Sequence, residues 1–159
     1  MSSLSIRPAT AQDTSALVAL IDALNRHEAV LTDDRRTDIA AARECLASLK
    51  GRIARAGGGI LVAQRRDETV GMIGWVIEEG EPYVQVHLRR HALITDLVVA
   101  QKHRGSGIGG ALIGSVEDAA RAQALPRLAI TVLATNQAAI DAYRAHGFVE
   151  DLQIMMKNL

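Results

Sequence analysis

Apolar residues recur at intervals of three and four between Asp13 and about Asn25, at Ala16, Leu17, Leu20, Ile21 and Leu24, which predicts one amphipathic helix. Asp13 stands where its N-cap belongs. A second stripe of Ile39, Ala42, Leu46, Leu49 and Ile53 predicts a helix from Asp38 to about Arg55, ended by the glycines 57 to 59. Cys45 falls inside it and is expected as a small core side chain, since no histidine or lysine lies next to it to lower its pKa. The period then shortens. Ile60 to Ala63, Thr69 to Ile77 and Ala92 to Val99 are β-branched and apolar runs parted by polar turns, and they predict successive strands. A helical pattern with Leu112, Val116, Ala119 and Ala120 runs from Ile108 to about Leu125, where Pro126 stops it. Leu128 to Leu133, apolar on both faces, is expected as a central strand. A last helix from about Gln137 to His146 ends at Gly147, and Phe148 to Met156 is expected as a final strand.

Helix, helix, strands, then strand–helix–strand–helix–strand describes one α/β domain of residues 1–159 with a mixed sheet flanked by helices. The 159 residues, 48% hydrophobic and 23% charged, are enough for one packed core. The longest stretch free of Asp, Glu, Lys and Arg runs from Leu128 to Ile140, too short for a membrane span of about 20 residues. The N-terminus carries no secretory pattern, so a cytoplasmic address is expected. A single cysteine allows neither an intrachain disulfide nor a thiolate-rich metal site. Eighteen basic residues balance eighteen acidic ones, and four aromatic residues are too few for a base-stacking surface. Neither a membrane nor a nucleic acid is an expected partner.

The local charge is less even. Between Asp96 and Glu117 no carboxylate occurs, whereas Lys102, Arg104 and five of the chain's 13 glycines fall there. Strand residues Leu97 to Val99, a basic turn, and glycines opening a helix make an anion site: unpaired N–H groups and the helix dipole both favour phosphate oxygens. The spacing Gly105-x-Gly107-x-x-Gly110 also satisfies a dinucleotide fingerprint, but the following strand ends Leu133-Ala134-Thr135-Asn136, without the acidic residue that would hold a ribose. No Gly-Lys-Ser or Gly-Lys-Thr follows, which excludes a Walker loop.

Arg104-x-x-Gly107-x-Gly109, after Leu97-x-Val99, resembles the acetyl-coenzyme A loop of the GCN5-related N-acetyltransferases. Asn136 to Phe148, with Tyr143 and Gly147-Phe148, is similar to that family's second signature, and Ile6-Arg7-Pro8-Ala9 to its first strand. The resemblance implies a mixed, mostly antiparallel sheet and an acetyl transfer from acetyl-coenzyme A to a primary amine, without a metal. It places the donor on Leu97, Val98, Val99, Arg104, Gly105, Ser106, Gly107, Ile108, Gly109 and Gly110. Asn136 and Tyr143 lie two helical turns apart, roughly 10 Å, and span an extended pantetheine arm. The resemblance gives the oxyanion to a backbone N–H at Val98 or Val99 and the leaving thiolate's proton to Tyr143. It further implies direct attack through a tetrahedral intermediate, and a homodimer.

Asp96 lies where the family often places an acid and is the candidate base; a satisfied strand-edge carboxylate is the plainer alternative. Glu78, Glu79 and Glu81 read as a solvated turn or as an attraction for a cationic acceptor. His87 and His91 have a helical metal spacing, but Val84, Val86 and Leu88 alternate as in a strand, where that spacing opens to roughly 13 Å. His91 remains a minor candidate for proton transfer. Ile154-Met155-Met156 suits either a dimer contact or a buried last strand. A non-catalytic acyl-coenzyme A sensor on the same fold is the alternative function.

Overall fold

Strands β1 (Leu4–Pro8), β2 (Gly58–Arg65), β3 (Glu68–Glu79), β4 (Arg90–Val99) and β5 (Leu128–Ile130) form one sheet in chain order. The computed structural model describes residues 3–159. The first four strands pair antiparallel and β5 pairs parallel to β4. Helices α1 (Thr14–Glu28) and α2 (Ile39–Ala56) cover one face, where Leu17, Ile21, Leu46 and Leu49 pack on Val62, Met72, Val76 and Val98. Helix α4 (Ile108–Ala122) covers the other, with Ile108, Leu112 and Val116 against Val70, Ile73, Trp75 and Ile94. Strand β3 is buried for eight consecutive residues because it is central and covered on both faces, which explains its unbroken apolar run.

The predicted helices and the first strands occur within a few residues of their expected ends. Three expectations fail. Strand β5 has three residues and lies at the sheet edge, not in the centre. The final strand is absent: residues 148–159 have no regular structure, and Val149, Leu152, Ile154, Met155 and Met156 are 80 to 89% exposed. Period-two alternation specifies a face, not a neighbour. Here an Arg144–Glu150 ion pair fastens the start of this segment to helix α5 (Gln137–Ala145), and no strand lies outside β5 among the described residues. Val84 to Leu88 is likewise no strand, because Val86–Arg89 forms the single turn of α3 and β4 begins at Arg90.

Asp13 precedes α1, but its carboxylate makes no bond to the helix start. It accepts two bonds from the Arg7 fork (2.8 and 2.9 Å) and one from the Thr10 N–H (2.7 Å), joining β1 to α1. Those donors, Arg7 foremost, hold this buried carboxyl well below its ordinary 3.8. A depressed folded-state pKa gives stability that is complete above the unfolded value and fades as pH falls through the folded one. Urea unfolding should therefore show Asp13→Asn less stable than wild type at pH 7, with the difference shrinking below about pH 4.

Candidate active site

The site begins at an irregularity in β4. Asp96 pairs with Gly74 and Ile94 with Trp75, so Thr95 is one residue extra, a bulge that re-aims the strand. Glycine is required opposite: a Cβ on Gly74 would lie 2.6 Å from Leu49 Cδ2 of α2 and 3.5 Å from Asp96 Oδ2. On the other edge, β5 pairs only with Ala92, Leu93 and Ile94. From Thr95 onward β4 pairs with no strand on that side among the described residues, which leaves that edge of Leu97, Val98 and Val99 open. Val98 is buried against α1 and α2, while Leu97 and Val99 pack toward α4.

A 3-10 turn (Gln101–His103) and the glycine loop carry the chain from β4 to α4. Gly107 caps α4 with φ +79°, and Gly105 has φ +72°, left-handed backbone that only glycine adopts freely. A Cβ added at Gly105, Gly107 or Gly109 would meet nothing within 4 Å, so the cradle is open. Ala111 N–H donates to the Gly107 carbonyl, the first bond of the helix, which leaves the N–H groups of Ile108, Gly109 and Gly110 without intrahelical partners. Gly110 differs from its neighbours: a Cβ there would lie 2.5 Å from His146 Cε1, so its glycine serves the packing of α5 on α4. The Ile108 side chain is core, and Ser106 Oγ donates to the His103 carbonyl (2.6 Å). Arg104 Nε donates to the Val99 carbonyl (3.1 Å) at the exposed rim. Lys102 is paired with Glu68 of β3 at 2.6 Å, which offsets part of the loop's positive charge.

Asp96 lines a cleft of about 500 Å³ between the α1–α2 connection, α2 and β4. Burial pushes its carboxyl above the ordinary 3.8, Glu28 adds to that shift, and Arg52 opposes it. Tyr143 on α5 sits edge-on to Phe148, ring centres 6.0 Å apart, and its phenol is raised by burial and again by Glu28. Asp96 and Tyr143 thus come from different elements into the field of one carboxylate. Glu28 was not singled out by the sequence pattern; it ends α1 and is held by Arg35 at 2.6 Å. Thr135 Oγ1 donates to the Leu31 carbonyl (3.0 Å), tying the segment before α5 to the end of α1. Asn136 caps α5, its Oδ1 accepting from Ala139 N–H (3.2 Å), which leaves its NH₂ group for a ligand. His91 Nδ1–H donates to the Arg89 carbonyl (3.0 Å), and neither His91 nor Glu79 or Glu81 lines the Asp96 cleft. Glu78 reaches it only through Arg52, to which it is bonded at 2.7 Å. Cys45 is exposed on the face of α2 that lines this cleft, contrary to the expected core position.

A glycine-opened helix start, reached from the free edge of a bulged strand in an α/β sheet and set beside a carboxyl-lined cleft, is the arrangement the site presents. The Acetyltransferase (GNAT) family profile matches residues 22–148, and the chain belongs to that family. The uncharacterized N-acetyltransferase YycN of Bacillus subtilis (strain 168) is 31% identical over 88 residues, 55% of this chain and 54% of that protein. The match thus spans about half the length of that curated relative. The tetramutant of the BH1408 protein from Bacillus halodurans has the same fold, with TM-score 0.80 at 23% identity over 98% of this chain and 99% of that one. An aminoglycoside 6'-N-acetyltransferase from Acinetobacter haemolyticus superposes with TM-score 0.73 at 18% identity, over 98% of this chain and 97% of that one. No helix among the described residues is long and apolar enough to cross a membrane.

Proposed function

We propose that this protein transfers an acetyl group from acetyl-coenzyme A to a primary amine by direct attack through a tetrahedral intermediate. The observation that carries this reading is the continuity of the site: the strand bearing Asp96 loses its β5 neighbour after Ile94 and runs straight into the open cradle at Gly105, Gly107 and Gly109. The cradle fits an anion. Backbone N–H groups at Ile108, Gly109 and Gly110, with Arg104 at the rim, hold the phosphates of the donor. The unpaired side of Leu97, Val98 and Val99 receives its extended arm, whose amides meet the Asn136 NH₂ group. Asp96, directly or through water, accepts the ammonium proton. A free N–H at Val98 or Val99 stabilises the oxyanion, and Tyr143 returns a proton to the departing thiolate. The test is a panel of primary amines with acetyl-coenzyme A, read by released thiol. Turnover with any amine supports the reading; a folded protein that binds the donor but acetylates none supports an acyl-coenzyme A sensor.

Phosphate binding by exposed Arg104 is screened by salt. Donor affinity measured by calorimetry should therefore fall between low and high ionic strength and fall less in Arg104→Ala. A flat affinity would remove Arg104 from phosphate contact.

A homodimer belongs to the same reading, motivated by the exposed Ile154, Met155 and Met156. Sedimentation should give twice the chain mass at micromolar concentration, and a monomer mass would refute it.

A further inference from the structure

Thr95 is the extra residue of the bulge in β4, and the bulge changes which side chains share a face. In a regular strand neighbouring residues point to opposite faces. Here Thr95 and Asp96 both line the cleft against α2. Their oxygens converge: Thr95 Oγ1 lies 3.2 Å, and Asp96 Oδ2 3.5 Å, from the place that a Gly74 Cβ would take. Thr95 Oγ1 is buried and has no hydrogen-bond partner among the described residues. A buried hydroxyl is costly to leave unpaired, and no other side chain lining the cleft holds a buried polar atom in that state. Burial raises the Asp96 carboxyl, and the Thr95 side chain is foremost among the groups that oppose the rise. Of the charged groups around it, Glu28 of α1 adds to the rise, and Arg52 of α2, bonded to Glu78 of β3, opposes it. The α1–α2 connection brings Asp34, Arg35 and Arg36 to the cleft, and α2 brings Glu44 and the Cys45 thiol. All of these are left in place when Thr95 alone is altered.

We propose that Thr95 is a positioning residue: its hydroxyl donates to the Asp96 carboxylate once that group is ionised and holds it toward the acceptor. The assignment rests on the acetyl-transfer reading above. Being buried, the hydroxyl touches no substrate and acts only through Asp96. The bond is open in the resting arrangement and closes on ionisation, which supplies the hydroxyl with its missing partner. A donor that binds only the charged form favours that form, so its loss must raise the carboxyl pKa and move the acid limb of kcat/KM upward.

The experiment is the pH profile of kcat/KM with acetyl-coenzyme A and a primary alkylamine, in wild type, Thr95→Val and Thr95→Ser. Valine keeps the shape and removes the hydroxyl, whereas serine keeps the hydroxyl. The acid limb of Thr95→Val should lie about one to two pH units higher, the effect of one hydrogen bond to a charged group. On that limb kcat/KM falls about 10- to 100-fold, and above it hardly at all. Thr95→Ser should keep the wild-type limb, and Thr95→Ala should shift it as valine does. In the Asp96→Asn background Thr95→Val should leave the profile where Asp96→Asn alone has it. A second readout needs no turnover. The NMR resonance of the Asp96 carboxyl carbon, assigned by its loss in Asp96→Asn, should titrate higher in Thr95→Val by the same amount and unchanged in Thr95→Ser. An unmoved titration in Thr95→Val, or an equal shift in Thr95→Ser, overturns the proposal. A shifted titration with no acetylation of any amine would support the Thr95–Asp96 pairing and overturn the transferase reading. Acetylation with an unmoved titration would do the reverse.

Discussion

Gly109→Val is expected to weaken acetyl-coenzyme A binding by roughly 10- to 100-fold while leaving the melting temperature unchanged or slightly higher. The fold-change corresponds to the loss of one charge-assisted hydrogen bond, about 1.5–3 kcal/mol. The position separates binding from folding better than its neighbours. Gly107 has φ +79°, so any side chain there strains the backbone by about 1–2 kcal/mol before a ligand is considered. Gly110 faces the His146 ring, so a Cβ there pushes α5 away from α4. Gly109 carries neither burden: it has helical backbone, and its Cβ would point into open space. Valine is also the better helix former. Whatever the substitution costs must therefore come from what the open space is for. A folded Gly109→Val protein with wild-type donor affinity, measured by calorimetry, would remove the phosphates from the start of α4.

The glycine loop was legible because its chemistry is local. Strand, turn and helix start are consecutive in the chain, and the absence of carboxylates from residues 97 to 116 is a property of the sequence itself. The stripes of α1 and α2 were legible for the same reason, each being written on one helix. Cys45 shows the limit of that reasoning. It lies beside the buried stripe of Ala42, Leu46 and Leu49, but at four residues from Ala41, three from Ser48 and seven from Arg52, and that second face borders the cleft. Apolar character alone does not tell the two faces apart. Glu28 was illegible because nothing near it in the chain marks it. Its effect on Asp96, 68 residues away, and on Tyr143, 115 residues away, exists only once α1, β4 and α5 converge. Strand β5 and residues 148–156 mark a third limit, since their apolar runs fit a central and a final strand equally well as an edge and an unpaired segment.

Asp96→Asn and Tyr143→Phe should fail in different ways, and pH separates them. Burial raises the Asp96 carboxyl, so its charged form exists only above a pKa higher than the ordinary 3.8. The same shift disfavours the ionised folded state, so the neutral asparagine should be at least as stable as aspartate at pH 7, and a lost rate cannot be ascribed to unfolding. If Asp96 accepts the amine proton, the acid limb of wild-type kcat/KM falls at the raised carboxyl pKa. The Asp96→Asn limb should instead follow the amine alone, near pH 10 for an alkylamine. The fold deficit is therefore largest at and below the carboxyl pKa, is still about 10²-fold or more near neutrality, and closes as the amine deprotonates by itself. A profile parallel to the wild type would take Asp96 out of proton transfer. Tyr143→Phe keeps the ring against Phe148 and removes only the hydroxyl. Burial and Glu28 push that phenol above 10, farther from a thiol near 8.5, so proton donation is uphill and the expected loss in kcat is about 10²-fold or less. Donor affinity should stay nearly constant, and the loss should grow toward high pH, where solvent supplies fewer protons to the thiolate. Full wild-type turnover in Tyr143→Phe would leave the thiolate to depart without an acid, a step that a thiol's own acidity permits, and would confine α5 to binding through Asn136.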